Sequence, residues 1–470
     1  MKVIKASIII PTCNRAKWLN NTIQSVLLQN YPSSEFEAII VDNGSKDNTK
    51  EIVETVASKN AKHNIKYFFE PVPGSVSARH CGALNAKGDI LVFTDDDVEV
   101  VSGWLSSIMN AFEDETVQLV GGPSLPKYEV EPPKWIDRYC EYKDGRIICG
   151  SLSLLDKGDE RIEIDPVLVW SLNFSIRKNT LFEAKGFHPC VIPKSLQHFQ
   201  GDGETGLSLA IKDKGYKAIY DPGVKLYHYI PRERLTVAFF EGRYFYQGVA
   251  DSYTQIRQNK GLRNLNIPHY TAEYLNLSGL STYEQYKQII YQRIHNAHVD
   301  GFLFHQEAVK QSDTLLKWVL REDYFDYRLP ELKADEHQRI RAVYEQIQGR
   351  TMHPQWPLTV ASGMIADASQ LIESGDTVSA LSRLENAACL CPRMPAVHLG
   401  RSLCLSALNR PQEAVRAAIT ELTIRPDNKQ ALDIILKDKQ LLLGELRKMP
   451  SAAIQMIQQV LLDYTKNQIV

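Results

Sequence analysis

The sequence predicts an α/β domain with a mainly parallel sheet and helices on both faces, followed by an all-α C-terminal region. Three observations carry the prediction. Short apolar runs alternate with segments of helical spacing through the first 120 residues. Polar residues follow at once on three of those runs, at the end where such sheets bind ligands. From residue 356 onward the chain turns rich in Ala and Leu at helical spacing, without strand-like runs.

The elements follow in order. Ala6 to Ile10 is a first strand, with Pro11 expected to stop it, since proline lacks the N–H a ladder needs. Ala16 to Asn30 carries Leu19, Ile23, Val26 and Leu27 at helical spacing. Ala38 to Val41 is a second strand, Thr49 to Ser58 a second helix, and Lys66 to Phe69 a third strand. Ser77 to Ala86 is a helix and Ile90 to Phe93 a fourth strand. The alternation is that of a doubly wound sheet. Beyond it, Trp170 to Ile176 and Lys217 to Tyr220 read as strands and Gly203 to Lys214 as a helix.

Three regions result: an α/β domain at 1–255, a mainly helical extension at 256–355 rich in Tyr, Gln and His, and a helical region at 356–470. The last holds a weak internal repeat. Leu371, Ala380 and Pro392 recur as Leu405, Ala414 and Pro426, at an offset of 34 residues. That period resembles the tetratricopeptide repeat, although Ala418 stands where a bulkier apolar residue is usual.

A net charge of −2 over 470 residues gives no reason to expect a nucleic-acid partner. No run reaches the ~18 to 20 apolar residues of a membrane span, and the first residues lack the pattern of a signal peptide. The expectation is a cytoplasmic protein that meets any membrane peripherally, at its inner face. Its eight cysteines form no Cys-x-x-Cys pair and are expected to be reduced.

The chemistry centres on Asp95, Asp96 and Asp97, directly after Leu-Val-Phe-Thr. Three adjacent carboxylates repel one another, so a compensating cation is expected. Magnesium and manganese prefer carboxylate and phosphate oxygens. Asp42 ends the second strand, and Pro11, Thr12, Asn14 and Arg15 follow the first, so polar groups converge on one sheet edge. The glycine fingerprint of a dinucleotide site and the P-loop are both missing.

These segments resemble the family-2 inverting glycosyltransferases. Ile8 to Arg15 resembles their opening motif, Val41 to Ser45 the second, Pro73 to Arg79 with Gly82 and Ala86 to Asp89 the third, and Thr94 to Asp97 the metal motif. Asn173 to Arg177 with Gly186-Phe187 resembles the acceptor-side segment, and Gly201 to Ser208 the segment with the catalytic base. Gly215 to Pro222 and Tyr227-His228 complete an order that covers residues 6 to 250.

The resemblance implies a GT-A-type, Rossmann-like mixed sheet and transfer of a sugar with inversion. It implies a nucleotide-sugar donor, UDP-sugar first, with Mn²⁺ or Mg²⁺. Asp42 would contact the nucleoside, Arg79 the base or diphosphate, and Asp95 and Asp96 the ribose and diphosphate. Asp97 and His228 would hold the metal. Asp202-Gly203-Glu204 replaces the usual Glu-Asp pair, with Gly206 where an acidic residue is common; Glu204 is the preferred base and Asp202 the alternative. Trp170, Trp135, Asn173, Arg232, Arg234 and Arg243 are candidates for the acceptor or diphosphate side. The acceptor would be a glycan, a glycolipid or a protein, and the repeats would offer a surface to a protein partner. Two other readings are a degenerate transferase acting as a scaffold and a nucleotidyltransferase.

Overall fold

The computed structural model describes residues 3–269, 281–348, 355–449 and 451–466. The expected boundary at 355 abuts residues 349–354, which lie outside them. Two compact units emerge: 1–271 with 294–350, and 272–293 with 351–470.

The first unit opens with the expected alternation. Strands β1 (Ala6–Thr12), β2 (Phe36–Asp42), β3 (Asn64–Phe69) and β4 (Ile90–Thr94) alternate with helices α1 (Ala16–Leu27), α2 (Thr49–Lys59) and α3 (Ser75–Asn85). There follow β5 (Val98–Val100), α4 (Trp104–Ala111), β6 (Val117–Gly121), β7 (Ser124–Tyr128), β8 (Glu141–Lys143), β9 (Arg146–Cys149), β10 (Leu154–Leu155) and β11 (Ile162–Glu163). Then come β12 (Asn173–Arg177), α5 (Lys178–Glu183), α6 (Glu204–Asp213), β13 (Lys217–Tyr220) and β14 (Leu226–Ile230).

The main sheet has eight strands in the order β11-β13-β6-β12-β4-β1-β2-β3. It is mixed: β1 to β4 pair in parallel, and β12 runs antiparallel to both β4 and β6. This is the mixed, helix-flanked sheet expected of a GT-A-type domain. Alternate residues of the central strands face opposite layers. Ile8, Ile10, Ala38, Ile40 and Val92 pack beneath α1, α2 and α4. Ile9, Ile39, Val41, Leu91 and Phe93 join α3 and α6 in a second core. Helix α3 lies so close to the sheet that a Cβ on Gly82 would stand 2.4 Å from Ile9 Cγ2.

Pro11 does not stop β1. The strand runs on to Thr12, with Pro11 opposite Val41. Thr12 O accepts from Asn43 N–H on the β2 side, so the position of the missing N–H of Pro11 faces β4. Pairing with β4 ends at Ile9, and no ladder bond is lost.

A second sheet, β5-β14-β7-β10-β9-β8, was not legible in the sequence. Its strand β14 pairs with β5 directly after the aspartate triplet, His228 opposite Val98. That pairing brings residues more than a hundred positions downstream to the carboxyl edge of β4.

The extension continues with α7 (Val237–Gln258), α8 (Thr282–Lys310), α9 (Asp313–Leu320) and α10 (Ala334–Gln348). The extension is thus mainly helical, with one long helix and three shorter ones among the described residues. Val249, Tyr253 and Ile256 of α7 share a core with Ile192, Phe199, Phe304, Trp318 and Val319.

The second unit is helical: α11 (Gln355–Glu373), α12 (Thr377–Leu390), α13 (Val397–Ala407), α14 (Pro411–Ile424), α15 (Lys429–Leu436), α16 (Lys439–Leu446) and α17 (Ser451–Lys466). Ala380, Leu384, Leu405, Ala414 and Ala417 form one of its cores. Among the described residues no helix is long and apolar enough to cross a membrane.

Candidate functional site

The strand ends deliver the polar groups. Asp42 closes β2, where its Oδ1 accepts from Ser45 N–H at 2.8 Å and its Oδ2 from Tyr67 OH at 2.9 Å. Asn14 takes a left-handed backbone at φ 55°; its N–H donates to Ser45 Oγ at 2.8 Å and its Oδ1 accepts from Lys46 N–H at 2.7 Å. The loops after β1 and β2 are thereby tied together, with Thr12 below them.

Each carboxylate of the triplet has its own partners. Asp95 is the most accessible, with 34% of its side chain exposed, and accepts from Arg79 Nη2 at 2.8 Å. Asp96 is buried and accepts from Thr12 Oγ1 at 2.7 Å. Asp97 is 2% exposed; its Oδ2 accepts from Arg15 Nη1 and, at 2.8 Å, from Arg234 Nη2. Thr22 braces the turn, its hydroxyl accepting from Val98 N–H at 3.2 Å. The cation that three adjacent carboxylates require is thus partly built in, as three arginines from three different elements.

The electrostatics differ along the triplet. Burial pushes the Asp96 carboxyl up to about 7, with Arg15 opposing and the Asp97 charge adding to the rise. Burial works the same way on Asp97, but the guanidinium charges of Arg234 and Arg15 oppose it and hold that carboxyl below the usual range. Asp97 therefore stays charged despite its burial.

His228 is set for one role. Its Nδ1 lies 3.0 Å from Leu152 O, a pure acceptor, so Nδ1 carries the proton. Nε2 is then the lone-pair nitrogen. It accepts from Arg234 Nη1 at 2.6 Å and stands 3.6 Å from Asp97 Oδ1. The Arg234 guanidinium thus bridges the carboxylate and the imidazole. A hard divalent cation fits that pair: one ionised carboxylate and one oriented imidazole, leaving positions for phosphate and water oxygens. Among the described residues no third His, Cys, Asp or Glu joins them.

The segment at 201–208 separates its two acids. Asp202 is buried, and both its oxygens are engaged: Oδ1 lies 2.6 Å from His188 Nδ1, and Oδ2 accepts from Thr254 Oγ1 at 2.6 Å. Burial raises its carboxyl, but His188 and Thr254 overcome this and keep it below the ordinary value. Glu204, half-buried at the first turn of α6, makes one long contact, from Ser171 N–H at 3.4 Å. The glycine at 206 also has a cause. A Cβ there would stand 2.0 Å from the His188 ring, which fills the space of the usual acidic side chain.

The remaining candidates divide. Trp170 is half-buried against both cores, next to the Ser171 that meets Glu204. Asn173 is held inside, donating to Val224 O at 2.8 Å and accepting from Trp104 Nε1 at 3.0 Å. Trp135 is core, packed edge-on to Phe240 at 5.0 Å. Arg232 is exposed, its backbone N–H donating to Glu129 at 3.0 Å, and Arg243 reaches Gln247 at 3.5 Å. Of the three downstream arginines only Arg234 reaches the triplet. Its bridge, and the pairing of Arg15 with Asp97, went unread in the sequence because both partners arrive through tertiary folding.

Residues 7–165 match the sequence model described as Glycosyl transferase family 2. Glycosyltransferase AglE of Haloferax volcanii is 37% identical over 117 residues, 25% of this chain and 38% of that protein. The GalNAc(5)-diNAcBac-PP-undecaprenol beta-1,3-glucosyltransferase of Campylobacter jejuni is 32% identical over 125 residues, 26% of this chain and 39% of its own length. The matched stretch therefore spans well under half of either relative. Among solved structures, the mannosyltransferase PcManGT from Pyrobaculum calidifontis in complex with GDP-Man and Mn²⁺ aligns over 83% of this chain and 87% of its own, with 16% identity and a TM-score of 0.40. The strand-end cluster of Asp42, Arg79 and Asp95 to Asp97 thus lies within residues 7–165, the stretch of this chain that matches the family 2 glycosyltransferase model and these glycosyltransferase relatives.

Proposed function

We propose that the chain transfers a sugar, with inversion, from a nucleoside-diphosphate donor to an acceptor hydroxyl, and that it needs a divalent cation to do so. The observation that supports this most is the convergence of Asp97 and His228 Nε2 on one guanidinium at the carboxyl edge of β4. Mn²⁺ or Mg²⁺ held by that pair would stabilise charge on the departing diphosphate. Asp42 takes the nucleoside, and Arg79 with Asp95 and Asp96 borders the ribose and diphosphate. Arg15 and Arg234, once released from Asp97, meet diphosphate oxygens. A UDP-sugar is the first donor to try.

Glu204 is the base in this reading, because Asp202 has both oxygens engaged. The Glu204 carboxylate takes the proton of the acceptor hydroxyl as that oxygen attacks the anomeric carbon. The bond to the diphosphate oxygen breaks, and the electron pair leaves with the diphosphate. Trp170 borders the acceptor.

Residues 1–255 form the transferase domain in this proposal, with 256–355 an extension of it. Residues 356–470 are a tetratricopeptide-like array that recruits an acceptor or a protein partner. In its support, the second helices of the two pairs, Thr377–Leu390 and Pro411–Ile424, begin and end 34 residues apart. The enzyme would work in the cytoplasm, meeting a lipid-linked glycan peripherally at the inner face of the membrane, or a protein or polysaccharide in solution.

The test is release of nucleoside diphosphate from UDP-, GDP- and dTDP-sugars with Mn²⁺. Glu204→Gln is expected to lose about a hundredfold or more in transfer while donor affinity stays. Full activity in Glu204→Gln with a well-folded, inactive Asp202→Asn would overturn the base assignment. Binding without turnover of any donor would favour the scaffold, and pyrophosphate release a nucleotidyltransferase.

A further inference from the structure

Two cysteines meet in the second sheet. Strands β8 and β9 form a hairpin in the register Lys143 to Arg146, Tyr142 to Ile147 and Glu141 to Ile148. Its two-residue turn, Asp144-Gly145, holds φ at 52° and 76°, the left-handed pair that suits the twist of a hairpin. One further step of that register sets Cys140 opposite Cys149. Cys149 is the last residue of β9, and Cys140 has an extended backbone at φ −123° and ψ 143°.

The turn also fixes the kind of pairing. The residues that flank such a turn exchange both backbone hydrogen bonds, and bonded and non-bonded pairs then alternate along the hairpin. Lys143 with Arg146 and Glu141 with Ile148 are the bonded pairs, so Cys140 with Cys149 is a non-bonded one. Cα atoms of a non-bonded pair stand ~4.5 Å apart, with the side chains at their closest. A disulfide spans roughly 4.4 to 6.8 Å between Cα atoms. The side chains agree with the backbone. Cys149 Sγ reaches Tyr139 O, the carbonyl next to Cys140, at 3.3 Å, and the two thiols lie within hydrogen-bonding reach of each other.

The two thiols are unequal. Cys149 is buried and Cys140 half-buried. When Cys140 ionises, the Cys149 S–H can turn from Tyr139 O to the Cys140 sulfur. That bond pulls the Cys140 thiol below its ordinary value, with Tyr142 helping and burial and the Asp137 charge opposing. Cys140 is thus the sulfur that solvent reaches and that ionises first, with Cys149 sheltered beside it.

The pair is joined to the strand-end cluster through the chain. Cys149 stands directly before the turn Gly150–Leu152, and Leu152 O is the group that faces His228 Nδ1. Cys140 directly follows the turn Lys134–Tyr139, whose Trp135 and Tyr139 pack on Phe240 of α7. A bond between the sulfurs ties one turn to the other.

We propose that Cys140 and Cys149 form a reversible disulfide under a peroxide oxidant, clamping the turn that presents Leu152 O to His228. The Cys140 thiolate attacks one oxygen of hydrogen peroxide, the O–O bond breaks, and water leaves behind a sulfenic acid. The Cys149 sulfur then attacks the Cys140 sulfur, the S–O bond breaks, and a second water departs. The two thiols lose two electrons and two protons, and the peroxide becomes two waters. A dithiol reductant reverses the change. The bond is independent of the transferase reading; only the use of His228 as a cation ligand rests on it.

The full chain is treated with hydrogen peroxide, denatured in iodoacetamide to cap the remaining thiols, and digested with trypsin. Lys143 and Arg146 lie between the two cysteines, so the disulfide appears as the peptide 139–143 joined to the peptide 147–157. That species is expected at the first equivalents of peroxide and is lost in dithiothreitol. Cys149→Ser is expected to stop at the Cys140 sulfenic acid, captured by dimedone. In the oxidised wild-type chain the amides of residues 150–152 exchange hydrogen about tenfold more slowly. Cys140 and Cys149 both recovered capped, after peroxide has oxidised other thiols of the chain, would overturn the proposal. So would either one joined to a different cysteine. Unchanged exchange at 150–152 in a chain that carries the bond would overturn the clamp. The wild-type peptide map decides the matter should Cys149→Ser not fold. Failure of the chain to bind UDP with Mn²⁺ would strike the transferase reading and leave the disulfide standing.

Discussion

At the scale of single residues, two acids two positions apart have been given different work by their surroundings. Asp202 is a structural carboxylate locked between His188 and Thr254, whereas Glu204 meets one distant N–H. Removing one member of a buried pair leaves the other unsatisfied, at a cost of about 3 to 5 kcal/mol. Asp202→Ala is therefore expected to lose stability of that order in urea denaturation, and Glu204→Gln to lose almost none. An Asp202→Ala protein as stable as wild type would show that the His188 contact contributes little. The sequence placed both acids at the start of a helix but not apart, because His188 reaches Asp202 only through the loop that precedes it. Gly206 was visible as a departure; its reason, the imidazole occupying the side-chain space, was not.

At the scale of elements, the long apolar strands and their helices were legible because burial on both faces leaves continuous Ile and Val runs. The six-stranded second sheet was not, since strands of two to five residues carry too little period to read. Yet β14 is what carries His228 to Asp97. The extension holds a further contact without a sequence signature. Helices α7 and α8 approach so closely that a Cβ on Gly248 would stand 1.9 Å from His298 O, and one on Gly301 1.9 Å from Phe245 O. Gly248→Ala or Gly301→Ala must push the helices apart and should cost about 1 to 3 kcal/mol or more. Gly242→Ala, on the same helix with open space around it, should be neutral or stabilising by up to about 1 kcal/mol. Equal effects at 242 and 248 in chemical denaturation would contradict the close crossing.

At the scale of the molecule, acid sensitivity follows from buried imidazoles. Burial pushes His80 down to about 3, His198 to about 4 and His305 to about 3. An unfolded chain protonates these rings near pH 6.5. Below that pH the unfolded state binds protons the folded state does not, so stability is fully present above it and lost as pH falls toward 4. Three such protons give a slope approaching about 4 kcal/mol per pH unit at the steepest. Asp96, pushed up to about 7 by burial, works in the opposite direction with a single proton. The three outweigh the one, and the melting temperature of the first unit should fall between pH 7 and pH 5. A constant or rising value would show that these rings can be protonated in place.

The central claim is that Asp97 and His228 form the cation end of a nucleotide-sugar site, with Arg234 standing in when no cation is bound. The direct measurement is equilibrium binding of Mn²⁺, followed by electron paramagnetic resonance, to the full chain with and without UDP. The account predicts one Mn²⁺ bound when UDP is present, lost in Asp97→Asn and weakened about tenfold or more in His228→Ala, with Arg234→Met binding at least as well as wild type. Mn²⁺ binding that survives both Asp97→Asn and His228→Ala would contradict it.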